Sequence, residues 1–225
     1  MSRADGADRL EGQQYELSPD LVTLTEGRPH EAEAIRTIRT HMVARHLEDG
    51  RRGLAFVGAT PGVGCTFTAV NLAVALAQAG IATLLIDADL RTPQVENFIR
   101  PGTVKPGLKD CIAADDRQLS DYIHAEVIPN LSVMYSGGAA SNPQELLSRE
   151  SFKTLIERCL RDFEFTIIDT TAANVGADEI RVARIVGYAL IVAKAHTSRM
   201  SDVAELASLL QEDGARVIGS VLNDL

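Results

Sequence analysis

The apolar run Gly53–Gly58, GLAFVG, leads straight into the glycine-punctuated segment ATPGVGCT at residues 59–66, and a helical pattern starts at Thr66. A strand that ends in such a loop and opens a helix has a built-in affinity for anions. Free amide groups at the helix N-terminus point into the loop, and the helix dipole adds positive potential there. Gly62 and Gly64 let successive N–H groups converge on one anion. The phosphate-loop pattern GxxxxGK followed by Ser or Thr is met imperfectly. Ala59 replaces the first glycine and Cys65 replaces the lysine, while Thr66 keeps the hydroxyl that binds magnesium. Taken alone, the segment also reads as a plain strand, turn and helix.

Two further apolar runs end in aspartate. ATLLID, residues 82–87, opens the segment LLIDADLR and places Asp87 and Asp89 two apart at a strand's C-terminal end. Side chains two apart on a strand share a face, so both carboxylates can serve one site. FTIID, residues 165–169, delivers Asp169 in the same way. Ligands of parallel sheets bind beyond the C-terminal ends of the strands. Carboxylates beside a phosphate loop suit magnesium binding or activation of an attacking hydroxyl. Each run alone is only a strand with an acidic end; the three in this order support one another.

The rest of the chain alternates in the same manner. Residues 1–20 are polar and read as a flexible N-terminal tail; residues 21–225 read as one phosphate-loop nucleotide-binding domain. Helical spacing covers 29–46, 66–79, 150–161, 178–186 and 199–211. Strands are expected at 131–135, 188–193 and 215–223, and the stretch 91–147 is expected to be loop-rich with short helices. Apolar strands separated by helices predict an α/β fold of three layers. It is a phosphate-loop NTPase architecture with a mostly parallel sheet and helices on both faces. A net charge of -9 disfavours DNA or RNA as a partner. The longest apolar stretch, residues 70–86, is broken by Asn71, Gln78 and Gly80, so no direct membrane insertion is expected. Cys65, Cys111 and Cys159 show no metal or disulfide spacing, and neither do His30, His41, His46, His124 and His196 show catalytic or ligand spacing.

In several stretches this chain resembles the bacterial tyrosine kinases of capsule and exopolysaccharide systems, a branch of the phosphate-loop family that includes the MinD and ParA ATPases. EAIRTIR resembles that family's E-x-x-R-x-x-R oligomerisation motif, LLIDADLRTP its second nucleotide motif, SNPQELLS a proline–glutamate–leucine segment, FTIIDTT its Walker B strand and GSVLN its closing strand. The resemblance implies ATP or ADP with Mg2+ as cofactors. It implies that Thr60, Pro61, Gly62, Val63, Gly64, Cys65, Thr66 and Phe67 wrap the phosphates. Thr66, Asp87 and Asp169 would hold magnesium, Asp87 would also deprotonate an acceptor, Asp89 would support that cluster, and Asn223 would touch the adenine. Glu33, Arg36 and Arg39 would lie at an interface of a homo-oligomer; the other reading of these three is a solvated helix face. The implied partner is a membrane polysaccharide co-polymerase or chain-length regulator. The implied location is the cytoplasm, peripheral at the inner membrane through that partner.

The departures decide the functional expectation. A thiol at position 65 cannot neutralise phosphates, and a helix N-terminus is expected to lower its pKa. Thr171 and Ala172 stand where the family has two prolines, which predicts a less rigid loop. Tyr15, Tyr122, Tyr135 and Tyr188 are scattered rather than clustered, and a membrane-spanning activator is expected to come from a separate protein. The favoured expectation is a degenerate kinase that binds nucleotide, oligomerises and scaffolds or regulates polysaccharide export. The alternative is an active ATPase or tyrosine autokinase that borrows a cation from Arg91, from Lys194, or from Arg36 or Arg39 of a neighbouring subunit. A spatial organiser of the MinD or ParA type fits less well, because Thr60 replaces the extra lysine of those loops.

Overall fold

A computed structural model describes residues 15–103, 105–114, 118–172 and 177–224. Of the tail expected at 1–20, residues 1–14 lie outside the described residues. Tyr15–Leu17 are not tail. They form strand β1, which pairs antiparallel with β4 (Ile99–Pro101). Behind β1 the chain is fastened to helix α2 (Cys65–Gln78) by Asn71. The Asn71 side-chain oxygen accepts the Val22 N–H at 2.8 Å, and its amide donates to the carbonyls of Asp20 and Phe67.

The main sheet has seven strands in the order β5-β6-β3-β7-β2-β8-β9. These are β2 (Gly53–Gly58), β3 (Thr83–Asp87), β5 (His124–Ile128), β6 (Leu131–Met134), β7 (Phe165–Ala172), β8 (Tyr188–Lys194) and β9 (Arg216–Asn223). All neighbours run parallel except the edge strand β5, which is antiparallel to β6. The three central strands β3, β7 and β2 are buried on both faces, as expected of parallel strands covered by helices.

Alternation along each strand divides the core in two. Leu54, Phe56, Leu85 and Ile167 join the helix α1 (Pro29–Met42) and α2 side, with Met42, Val70 and Leu76. Ala55, Val57, Ile86 and Ile168 face the other layer. That layer is built from α3 (Leu108–Ala114), α4 (Pro143–Ser148), α5 (Glu150–Asp162), α6 (Asp178–Val186) and α7 (Met200–Glu212). Helix α5 shows why such segments were readable in sequence. Phe152, Leu155, Ile156 and Cys159 fall at helical spacing and are buried, while charged residues occupy the opposite face. Prolines stand at the first turns of α1 and α4, where a missing N–H costs nothing. Gly187 ends α6 in the left-handed region, φ 85°.

Helix α1 continues into a π-helical turn, Val43–Leu47. There His46 is buried and its Nε2 lies 3.0 Å from the Gly53 carbonyl, with Phe165 and Tyr188 edge-on to its ring. His46 and Tyr188 are therefore packing residues. Among the described residues no helix is long and apolar enough to cross a membrane.

Candidate functional site

The C-terminal ends of β2, β3 and β7 lie side by side, and the site is assembled there. Strand register pairs Asp87 with Asp169, and Phe56 with the same Asp169. Adjacent strands are about 4.8 Å apart, so the two carboxylates emerge as neighbours beneath the loop that follows β2. That loop turns on Gly62 and Gly64, at φ 74° and 90°, conformations that L side chains rarely adopt. A Cβ at Gly64 would also collide with the Asn223 carboxamide.

The loop forms one wall of a cavity of about 490 Å³. Thr60, Pro61, Gly62, Val63, Gly64, Cys65, Thr66 and Phe67 all line it. Asp89, Arg91 and Phe98 close another side, and Thr170, Thr171 and Ala172 a third. A larger cavity, about 680 Å³, lies between α3 and α5, but contains none of the loop or aspartate residues. The chemistry places the site in the smaller one.

Asp87 and Asp169 lie below this cavity, fully buried. Burial is the main reason the Asp87 carboxyl is raised above the usual range; the Asp89 charge adds to it, and the N–H groups of Val95 and Asp89 oppose it. Burial likewise pushes Asp169 well up, helped by the Asp87 charge, and the Thr66 hydroxyl opposes. The Asp169 oxygens make no well-formed hydrogen bond among the described residues. Two crowded, desolvated carboxylates under an amide-lined loop suit a divalent cation, whose charge would favour both ionised forms. Among the described residues no three His, Cys, Asp or Glu side chains form a ready-made metal site. Magnesium does not require one, since it keeps waters and takes one or two carboxylates plus phosphate oxygens.

The geometry locates the remaining candidates and corrects two expectations, the loosened loop and the lowered thiol. Asp89 is engaged in its own turn: one oxygen accepts the N–H groups of Arg91 and Thr92, and the other accepts the Thr92 hydroxyl. It borders the cavity but serves first as a turn brace. Asn223 is not among the residues that line the phosphate cavity. Its amide donates to the Val63 carbonyl at 2.9 Å, on the side where α1 and Phe67 form a separate smaller cavity. Thr171 and Ala172 do not form a loosened loop. They extend β7 by pairing Ala172 with Gly58, and Thr171 is buried; residues 173–176 lie outside the described residues.

The Cys65 thiol is raised well above its normal value, not lowered. Desolvation is the largest cause, and the charges of Asp169 and Asp89 add to it. The side chain turns under the loop, so a Cβ at Gly58 would come within 2.8 Å of its sulfur. Lys194 is absent from the cavity lining, and Glu33, Arg36 and Arg39 are on α1. The Arg36 guanidinium lies 3.6 Å from Glu33, which is largely exposed, while Arg36 is half-buried.

One functional contact escaped the sequence. Arg91 Nε donates to Asp178 Oδ2 at 2.8 Å, and Asp178 is buried at the start of α6. The partners are 87 positions apart. The only local signal was an arginine just after the Asp87–Asp89 pair.

A glycine loop on a parallel sheet, with two aspartates under it, defines a phosphate-loop nucleotide-binding domain. The sequence pattern of the AAA domain family matches residues 52–212. The chain is 31% identical to the putative tyrosine-protein kinase CapB of Staphylococcus aureus, over 86% of this chain and 84% of that protein. It is 31% identical to the putative tyrosine-protein kinase EpsB of Ralstonia solanacearum over 96% of this chain, and spans about 30% of that protein's length. The solved kinase domain of Escherichia coli tyrosine kinase ETK superposes with a TM-score of 0.81 at 30% identity, covering 97% of this chain and 85% of that one. The chain belongs to the bacterial tyrosine-kinase family of phosphate-loop ATPases.

Proposed function

We propose that this chain is a nucleotide-binding module of the bacterial tyrosine-kinase family that has lost phosphotransfer and serves as a scaffold or regulator in surface-polysaccharide export. The observation that carries the reading is the state of the loop. Its backbone cradle is intact, with Gly62 and Gly64 in left-handed geometry at the start of α2, while position 65 holds an inward-packed thiol. Backbone amides bind phosphate without a lysine. Phosphoryl transfer, by contrast, depends on positive charge at the transferred group, worth about 10³–10⁵ in rate for an arginine finger.

In this reading the loop from Thr60 to Phe67 holds the phosphates of ATP or ADP. Thr66, Asp87 and Asp169 hold Mg2+, which when bound neutralises phosphate charge. Asn223 braces the loop through the Val63 carbonyl and, from the lining of the smaller cavity beside α1, touches the adenine. The Glu33, Arg36 and Arg39 face of α1 forms the oligomer contact, and a membrane polysaccharide co-polymerase is the docking partner. That partner confers the peripheral inner-membrane location; the family resemblance and the retained EAIRTIR spacing support both.

The test is restoration of the missing charge. Cys65→Lys is expected to tighten Mg·ATP binding about tenfold or more, about 1.4 kcal/mol. Tyrosine phosphorylation, followed with labelled ATP, is expected to stay at background. Full autokinase activity in that single variant would overturn the proposal.

A further inference from the structure

Three carboxylates, Asp87, Asp89 and Asp169, lie around or beneath the cavity, and the loop lysine is absent. A polyphosphate entering this site adds more negative charge. Among the described residues that line the cavity, Arg91 is the single cationic side chain. It projects from the turn that follows β3, and Asp89 fixes that turn by accepting the Arg91 and Thr92 N–H groups.

The side chain is held as well as the backbone. Its Nε is committed to Asp178 at 2.8 Å, and the Asp178 side chain is 3% exposed against 26% for Arg91. A guanidinium has five N–H donors in a planar fork. With the Nε–H taken by a buried carboxylate, the donors on the terminal nitrogens remain for the cavity. The pair joins the end of β3 to the first turn of α6, so the cation is oriented before a ligand arrives. Pre-orientation spares the rotamer entropy that binding would otherwise cost.

We propose that Arg91, positioned by Asp178, supplies the positive charge for a bound nucleoside polyphosphate in place of the loop lysine. This rests on the nucleotide-binding reading above and holds with or without turnover.

Binding of Mg·ATP and Mg·ADP is measured by calorimetry on the full chain. Arg91→Ala weakens Mg·ATP by about ten- to a hundredfold, the range for a lost charged hydrogen bond, and Mg·ADP by less. Because Arg91→Ala strands a buried Asp178, the paired variant Arg91→Gln with Asp178→Asn is measured beside it. It keeps a neutral hydrogen-bonding pair and is expected to show the same loss. Adding Cys65→Lys to the paired variant tightens Mg·ATP by a clearly larger factor than it does in the wild-type chain, a non-additive gain that a merely structural role for Arg91 would not produce.

Mg·ATP affinity within twofold of wild type in a folded Arg91 variant overturns the proposal alone. An equal gain from Cys65→Lys in the wild-type and paired-variant backgrounds also overturns it. Failure of the wild-type chain to bind Mg·ATP overturns the nucleotide-binding reading and takes this one with it.

Discussion

Glu179 sits beside Asp178 in the first turn of α6, fully buried, with neither carboxylate oxygen paired among the described residues. Burial is the main cause of its raised pKa, pushed from 4.5 up to about 7. The folded chain therefore keeps a proton that the unfolded chain releases across that interval. The stabilising contribution is complete below the unfolded value and is lost as pH rises through 7. Glu179→Gln mimics the protonated form. We predict that it raises the unfolding free energy obtained from urea melts at pH 8.5 by about 1–3 kcal/mol relative to wild type, and leaves it unchanged at pH 4. An equal effect at both values would show that the carboxylate is not held protonated. Cys65 shows the same environment acting on a thiol: desolvation and nearby carboxylates hold it protonated, so it brings no negative charge to oppose phosphate. What sequence displays at this scale is residue type. Asp87, Asp169 and Thr66 were legible because apolar strands and glycines point to them. The inward turn of Cys65 and the bracing roles of Asp89 and Asn223 were not, because they depend on atoms contributed by neighbouring strands.

Among the elements, those with a strong period were legible and those defined by distant partners were not. The central strands announce themselves as apolar runs, and α5 by its buried stripe. Strand β1 is three residues long and exists only because β4, over eighty positions away, offers it an edge. Strand β5 is half polar and needs β6 to pair with it. Asn71 looks in sequence like an interruption of an apolar helix. In the fold it is a buried clasp between α2 and the segment that follows β1, with one accepted and two donated hydrogen bonds. We predict that Asn71→Ala destabilises the chain by about 1–3 kcal/mol, the cost of leaving buried backbone groups unpaired. Hydrogen exchange at Val22 and its neighbours should accelerate more than exchange in β3 or β7. Uniform acceleration would mean that Asn71 supports the core rather than the clasp.

For the whole molecule, the fold positions a phosphate loop, two buried aspartates and one anchored arginine at the same sheet end, and the family assignment accords with that arrangement. Assembly through α1 belongs to the proposed function. If Glu33, Arg36 and Arg39 form the contact between copies, Arg36→Ala with Arg39→Ala shifts the mass seen by light scattering toward the monomer. An unchanged mass would return that helix face to solvent. In the proposed function the loop has kept its ligand and lost its chemistry. The most direct test of this is calorimetric titration of the wild-type chain with Mg·ATP, with phosphate release followed in the same sample. Saturable binding with no release above the blank is the expected result. Sustained release would contradict it and identify a working enzyme completed by another cation.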